Sequence, residues 1–196
     1  FSPMIQAIVD DPMQGVSDAA SVLAMVFDLS EDVFVAQQLA RLYIFAANWK
    51  EATTYAKIIT NKKPDNSFLW DTFGNVFKGQ VVAHLTECIK EEGTVSPEDA
   101  TCVIDLALHG LEIFRKEQSV SQDDMANINH AGFFGEIEVT VRLLDYLTYV
   151  DGLEDNEELR RFLVDSHYVP PKLEYLGQER IQKIKGIQEQ VIQVMR

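Results

Sequence analysis

The sequence predicts an all-α fold, a superhelix of antiparallel helix pairs with about eight helices in all. Apolar residues recur every three or four positions through most of the chain, as expected for amphipathic helices. No stretch alternates between polar and apolar residues in the way that a half-buried strand requires. With 46% hydrophobic residues among 196, the chain can bury a continuous apolar seam between stacked helix pairs.

An aromatic motif in the middle of the chain sets the expected register of these pairs. Its members share one face of a predicted helix: Trp70, Phe73, Gly74 and Phe77. Upstream, Trp49 lies fifteen residues before Pro64 and Ala52 lies twelve residues before it. This spacing is typical of a tetratricopeptide repeat, a helix–turn–helix unit of about 34 residues. If Pro64 ends one unit, the units open at Val33 and Ser67, and the fold is a tetratricopeptide-like α-solenoid.

Residues 1–30 are expected to form N-terminal capping helices. Ser2-Pro3 has the residue types that begin a helix, and a short helix to about Asp10 follows. A second apolar segment predicts a helix from about Val16 to Leu29.

Residues 31–119 are expected to hold two tetratricopeptide-like helix pairs. Asn48-Trp49 marks the turn within the first pair. The first helix of the second pair is predicted to run to about Glu92, where Gly93 stops it. Ser96-Pro97 then begins its partner helix, because Ser is a common cap and Pro is favoured at the first helical position.

Residues 120–196 are expected to add further helices and a C-terminal capping helix. The polar segment 116–124 is predicted to be a bridge into the next helix. Gly132 and Gly135 within that helix would each cost about 1 kcal/mol relative to Ala. They indicate a tight helix crossing, with a helix break near Gly132 as the alternative.

The end of the chain is predicted to hold two more helices. A short one ends at about Asp165, and Pro170-Pro171 places the following segment in a loop, because proline cannot occupy a helix interior. The last helix is predicted from about Gln178 to Met195. We expect residues 1–196 to form a single helical domain.

The negative charge of the chain disfavours nucleic-acid partners. Lys and Arg number 17 and Asp and Glu number 31, which gives a net charge of −14, whereas nucleic-acid binding normally requires a basic surface. No apolar run is long enough to span a bilayer. Cys88 and Cys102 are expected to be buried free thiols of a reducing compartment, which favours a cytoplasmic location. Because the chain begins with Phe1 and not with Met, we expect it to be a piece of a longer intracellular protein.

Sites of chemistry are not evident in the pattern. His84 and Cys88 lie one turn apart and could share a metal, but packing is favoured because two further ligands are missing. Residues 151–156 resemble a calcium loop without matching its spacing. Glu136 and Glu138 point to different sides of a helix, which favours one solvated and one helix-contact residue over an acid–base pair. We therefore expect no catalytic residues, no cofactor and no metal.

The predicted register does identify a candidate groove for a partner. In a tetratricopeptide unit the first helix of each pair lines the concave face, and its positions 2, 5, 9 and 12 point inward. The corresponding residues are Phe34, Gln37, Arg41, Ile44, Phe68, Asp71, Asn75 and Lys78. Their mixture of apolar groups and both charge signs suits a peptide or a helix. A separate protein and another domain of the same polypeptide remain equal alternatives, and the oligomeric state stays open.

Two segments carry a resemblance to a known family. PDNSFLWDTFGNVFKGQ and HAGFFGEIEV resemble segments of the sterile alpha motif domain-containing 9 and 9-like proteins. The resemblance implies a large, interferon-inducible, antiviral and growth-restraining factor. In it, a tetratricopeptide-like region follows a P-loop NTPase of the STAND-like type and restrains it or senses a signal. This chain has no phosphate-binding G-x-x-x-x-G-K-[ST] motif of its own.

The functional expectation is therefore a non-catalytic scaffold for protein–protein or intramolecular regulatory contacts. The alternative is a segment that contacts nucleic acid through the basic C-terminal helix. The cations of that segment are Lys172, Arg180, Lys183, Lys185 and Arg196.

Overall fold

The computed structural model describes residues 14–91, 95–123 and 130–194, and these residues confirm the all-α prediction. The helices are α1 (Gln14–Ser30), α2 (Val33–Phe45), α3 (Trp49–Lys62), α4 (Ser67–Glu91), α5 (Pro97–Asp123), α6 (Ala131–Leu147), α7 (Asn156–Val164) and α8 (Gly177–Val194). A short 3-10 helix covers Pro171–Leu176. Within the described ranges, strand-like pairing is limited to an isolated bridge between Val95 and Val150.

Helix starts follow the polar residues that precede them. The Oδ1 atom of Asp32 accepts a hydrogen bond from the Phe34 amide at 2.7 Å, so α2 opens at Val33. Ser96 Oγ accepts from the Asp99 amide at 3.1 Å at the start of α5. Helices α2 and α4 begin at Val33 and at Ser67, the two positions that the repeat register predicts.

The helices pack in the order expected of stacked pairs. Helix α3 packs against α2 and α4, and α5 packs against α4 and α6. Helices α2, α4 and α6 also contact one another in sequence, so the first helices of the two repeats lie side by side and α6 lies beside the second of them. Helix α1 packs on α2, and α8 packs on α5 and α6. This arrangement places one face of α2, α4 and α6 on a common surface.

A phenylalanine ring between two glycines holds the centre together. Phe114 of α5 is fully buried. A Cβ atom at Gly74 of α4 would lie 2.5 Å from its Cε1 atom, and one at Gly135 of α6 would lie 2.5 Å from its Cδ1 and Cζ atoms. Carbon atoms normally approach to about 3.5–4.0 Å, so both positions must lack a side chain for the ring to fit. The predicted tight crossing at Gly135 is confirmed, and α6 also begins beside Gly132.

Tryptophans extend the same kind of contact toward α3. The Trp49 ring lies where a Cβ atom at Gly79 would come within 2.8 Å of it. Trp70 is half-buried against a cluster shared by α3 and α4 that includes Ala52 and Phe73. Its Nε1–H donates to the Pro64 carbonyl at 2.8 Å, which ties the inter-repeat turn to α4.

Helix α5 corrects one of the sequence predictions. The segment 116–124 was expected to be a bridge, but α5 continues to Asp123. The helix continues because Glu117, Val120 and Ser121 are buried. An apolar pattern does not reveal that face, because two of the three residues are polar.

Two smaller predictions also change, and two others remain untested. The loop around Pro170-Pro171 contains the 3-10 helix, whose Leu173 and Leu176 are buried. Cys102 is exposed and Cys88 is half-buried, so the prediction of two buried thiols is wrong. The predicted helix to Asp10 and the stop at Gly93 lie outside the described residues.

Candidate protein-binding groove

A phenylalanine is exposed near the start of each of the three adjacent helices α2, α4 and α6. Phe34, Phe68 and Phe134 have exposed fractions between 50% and 67%. Burial of a large apolar side chain is favourable by about 1.5–3 kcal/mol, so exposed rings on three adjacent helices are candidate contacts for a partner. Lys63 Nζ lies 4.9 Å from the centre of the Phe34 ring, so that ring is already partly covered.

Charged residues lie on the same three helices. Lys78 Nζ of α4 donates to Glu138 Oε2 of α6 at 2.6 Å, which links the two helices across the surface. Arg41 of α2 is exposed. Asn75 Nδ2 donates to Asp71 Oδ1 at 3.0 Å. Burial raises the pKa of Asp71, and the nearby cations Arg41 and Lys78 oppose that rise. The surface therefore offers both signs of charge beside the rings.

We call this surface the groove. Its residues are Phe34, Arg41, Phe68, Asp71, Asn75, Lys78, Phe134 and Glu138.

Two of the predicted groove residues have other positions. Gln37 is buried, and its Nε2 donates to the Phe68 carbonyl at 3.1 Å and to Thr72 Oγ1 at 2.9 Å. It therefore joins α2 to α4 beneath the surface. Ile44 is half-buried in the cluster of α3 and α4. The remaining six predicted residues lie exposed or half-buried on α2 and α4.

Sequence reasoning missed the contribution of α6. Phe134 and Glu138 lie four residues apart, on one exposed face of that helix. This i, i+4 pair was the available signal, but α6 lacks the tryptophan and proline spacing that identified the first two units. The expectation that Glu136 and Glu138 point to opposite sides is confirmed, because Glu136 is buried against α5 while Glu138 is exposed.

Buried carboxyl groups lie beneath the groove, between α5 and α6. Glu136 accepts from Arg115 Nε at 2.7 Å and from Gln118 Nε2 at 2.6 Å. Burial raises the pKa of Glu117 to about 8, with a smaller contribution from the Asp71 carboxylate, while a hydrogen bond from the Gly132 backbone lowers it. Glu117 is therefore mostly protonated at neutral pH, which avoids a buried negative charge.

The residues considered for metals have local structural roles. His84 Nδ1 lies 3.7 Å from the Glu87 carboxylate. In the 151–156 segment, Lys172 Nζ pairs with Asp151 at 2.5 Å and Asp155 caps α7. Among the described residues, no three His, Cys, Asp or Glu side chains are placed to hold a metal ion.

The basic residues of α8 are engaged within the fold. Arg180 makes two hydrogen bonds to Asp105, at 2.6 and 2.8 Å. Lys183 lies 3.4 Å from Glu112, and buried Lys185 donates to the carbonyls of Asp165 and Tyr168. These cations balance acids and carbonyls of neighbouring segments, so they offer little free charge to a phosphate backbone. In the ranges that the structure describes, no helix has the length and apolarity to cross a membrane.

Comparisons with known proteins give one consistent relationship. The chain is 29% identical to human sterile alpha motif domain-containing protein 9 over 184 residues, 84% of this chain. It is 29% identical to the mouse 9-like protein and 26% identical to the human 9-like protein, over 89% and 87% of its length. The chain is a distant relative of these proteins. It spans 11–12% of their length, so it corresponds to a small part of each.

No family model and no solved structure matches the chain. The relationship to the sterile alpha motif domain-containing 9 and 9-like proteins agrees with the resemblance of the two segments around Trp70 and Gly135. Those segments hold the two glycines that contact Phe114. The residues behind the resemblance are thus residues that set the distance between helices.

Proposed function

We propose that this chain is a non-catalytic helical-repeat scaffold that holds a protein segment in the groove. By resemblance to the sterile alpha motif domain-containing 9 family, it acts inside a large, interferon-inducible, antiviral and growth-restraining protein of the cytoplasm. The bound segment belongs either to another domain of the same polypeptide, which would restrain an adjoining NTPase, or to a separate protein.

The observation that carries the proposal is the exposed phenylalanine on each of the adjacent helices α2, α4 and α6. Phe34, Phe68 and Phe134 are presented by three helices that the packing holds side by side. A rigid helix surface can bind without a large ordering cost, which favours affinity. Aromatic anchors supply most of the energy at protein interfaces, and neighbouring charges supply orientation and specificity.

The charges of the groove favour a segment that itself carries both signs. Arg41 is exposed and would attract a carboxylate. Lys78 and Glu138 already pair with each other, so a ligand must either lie beside this pair or exchange partners with it. A nucleic-acid strand would face the Asp71 and Glu138 carboxylates, which supports a protein ligand over the nucleic-acid alternative.

A photo-crosslinking experiment in the full-length parent protein tests this. A benzophenone amino acid replaces Phe68 in cells, and mass spectrometry identifies the peptide that becomes attached after irradiation. We expect one dominant peptide, whose sequence tells whether the segment is intramolecular or from a partner. The matched control places the same amino acid at Val164, an apolar residue on α7 that is at least as exposed as Phe68.

Charge reversal then tests the role of the groove. The double substitution Arg41→Glu with Lys78→Glu should reduce the Phe68 adduct by about tenfold if the charges orient the segment. Circular dichroism should show unchanged helix content. The proposal is wrong if the Phe68 and Val164 positions capture the same mixture, or if the adduct is insensitive to both reversals.

A further inference from the structure

Helix α1 is apolar on two opposite faces. Its inner face, which includes Ala20, Leu23 and Phe27, packs against α2 and α3. Its outer face also carries large apolar residues, with exposed fractions of 50%, 66%, 42% and 88% for Val22, Met25, Val26 and Leu29. We call these four residues the α1 stripe.

The spacing of the α1 stripe is that of a helix contact. The four residues follow an i, i+3, i+4, i+7 pattern and span about 10 Å, or two helical turns. Soluble proteins rarely leave a contiguous row of large apolar side chains in water, so the stripe indicates that another element covers it.

The surroundings of the α1 stripe are acidic. Asp18 lies four residues before Val22 in line with the stripe, and Asp28 lies on its flank; both are exposed. Glu31, at the end of the helix, pairs with Lys62 at 2.8 Å. The sequence contains no Lys or Arg before Arg41. Whatever covers the stripe therefore meets negative charge.

The negative charge around the α1 stripe limits what can cover it. A second copy of the chain would bring the same acids against each other, and like charges across an interface oppose association. An anionic membrane surface would be repelled too, since membrane-surface helices carry Lys and Arg on their polar face.

We propose that the α1 stripe is a docking surface for an amphipathic helix of a partner protein that carries Lys or Arg beside its apolar residues. The apolar residues of that helix pack on Met25 and Leu29 in the manner of a helix pair. Its cations pair with Asp18 and Asp28. This surface is distinct from the groove, which is built from α2, α4 and α6.

The test uses two synthetic helices of about 18 residues that share one leucine stripe and differ only in flanking Lys or flanking Glu. Binding to the full chain is measured by fluorescence anisotropy at about 50 mM salt. We expect the Lys peptide to bind and the Glu peptide to bind at least about tenfold more weakly. Met25→Asp should weaken Lys-peptide binding by about tenfold or more, although it adds a negative charge.

General attraction between a basic peptide and an acidic protein would instead make Met25→Asp bind the Lys peptide more tightly, so a loss of affinity indicates docking on the stripe. Ile89→Asp is the matched control, because it places the same charge at an exposed apolar residue on α4. It should leave the affinity unchanged or slightly higher. The double reversal Asp18→Lys with Asp28→Lys keeps the stripe and should switch the preference to the Glu peptide.

Several outcomes overturn the proposal. They are no binding of either peptide, equal binding of both, and equal effects of Met25→Asp and Ile89→Asp. Light scattering that shows a dimer abolished by Met25→Asp assigns the stripe to a second copy instead. Cosedimentation with vesicles of about 30% anionic lipid, lost in Met25→Asp, assigns it to a membrane surface.

Discussion

A methyl group at Gly135 tests the contact on which the centre of the fold depends. In Gly135→Ala the new Cβ atom would lie 2.5 Å from Cδ1 and Cζ of Phe114 and closer still to Cε1. The ring must therefore move by more than about 1 Å to restore an ordinary carbon–carbon distance. It cannot move toward α4, because the space on that side is already limited at Gly74.

The magnitude follows from two opposing effects. Overpacking of a close-packed core typically costs about 1–3 kcal/mol, and a ring confined on both sides places Gly135→Ala near the upper end. Alanine also favours the helix by about 1 kcal/mol relative to glycine. The net loss is then about 2 kcal/mol, which corresponds to a fall in Tm of about 4–8 °C for a chain of this size.

Thermal melts followed by circular dichroism at 222 nm measure the effect, with Gly186→Ala as the control. No atom lies within 4 Å of a Cβ at Gly186 on α8, so alanine there should raise the Tm by about 2–4 °C. Phe114→Leu in the Gly135→Ala background should recover part of the loss, because the smaller side chain leaves room for the methyl group. If Gly135→Ala melts at or above the wild-type temperature, or if the two substitutions are additive, the account of this contact is refuted.

Two further predictions concern buried polar groups. Burial raises the pKa of Glu117 to about 8, above the ordinary value of 4.5, so the folded protein holds this proton more tightly than the unfolded chain. The stability that the protonated Glu117 contributes is complete in acid and is lost as the pH rises toward 8. Glu117→Gln should therefore flatten the fall in Tm between about pH 5 and pH 8.5, and the exposed control Glu87→Gln should not. An unchanged slope would mean that Glu117 is ionised in the folded protein. Lys185→Met removes the donor to two backbone carbonyls and should lower the free energy of unfolding in urea by about 1–3 kcal/mol. The control Lys183→Met should cost less than about 1 kcal/mol, because its ion pairs are exposed, and equal losses would contradict the role of Lys185.

The helix register was predictable because Trp49 marks the turn within a repeat and Pro64 marks its end. Trp49 and Pro64 fixed the first unit, and the second unit then followed from the spacing alone. The structure adds what those residues touch: Trp49 fills the space beside Gly79, and Trp70 bonds to the Pro64 carbonyl. Very large side chains such as tryptophan, and glycine, which has none, therefore allow helix contacts to be predicted from the sequence.

Polar residues at helix contacts were harder to predict. Gln37 was placed in the groove because its position in the repeat points inward, yet it bonds to Phe68 and Thr72 beneath the surface. Glu117 and its polar neighbours led to the prediction of a bridge over 116–124, where α5 in fact continues to Asp123. A side chain that is polar and buried differs from one that is polar and solvated only in its partners, and those partners lie far away in the sequence.

The contact around Phe114 also bears on the groove. The ring sets the distance between α4 and α6 on their buried side, and the Lys78–Glu138 pair joins the same two helices on their exposed side. A group added at Gly74 or Gly135 therefore changes the width of the surface that presents Phe68 and Phe134, even where the chain still folds. The distance between α4 and α6 therefore affects both the stability of the fold and the binding of a partner. A variant that keeps its Tm but loses the Phe68 crosslink would separate the role of this contact in folding from its role in binding. Replacement of Gly74 by a residue with a small side chain is the substitution to test first.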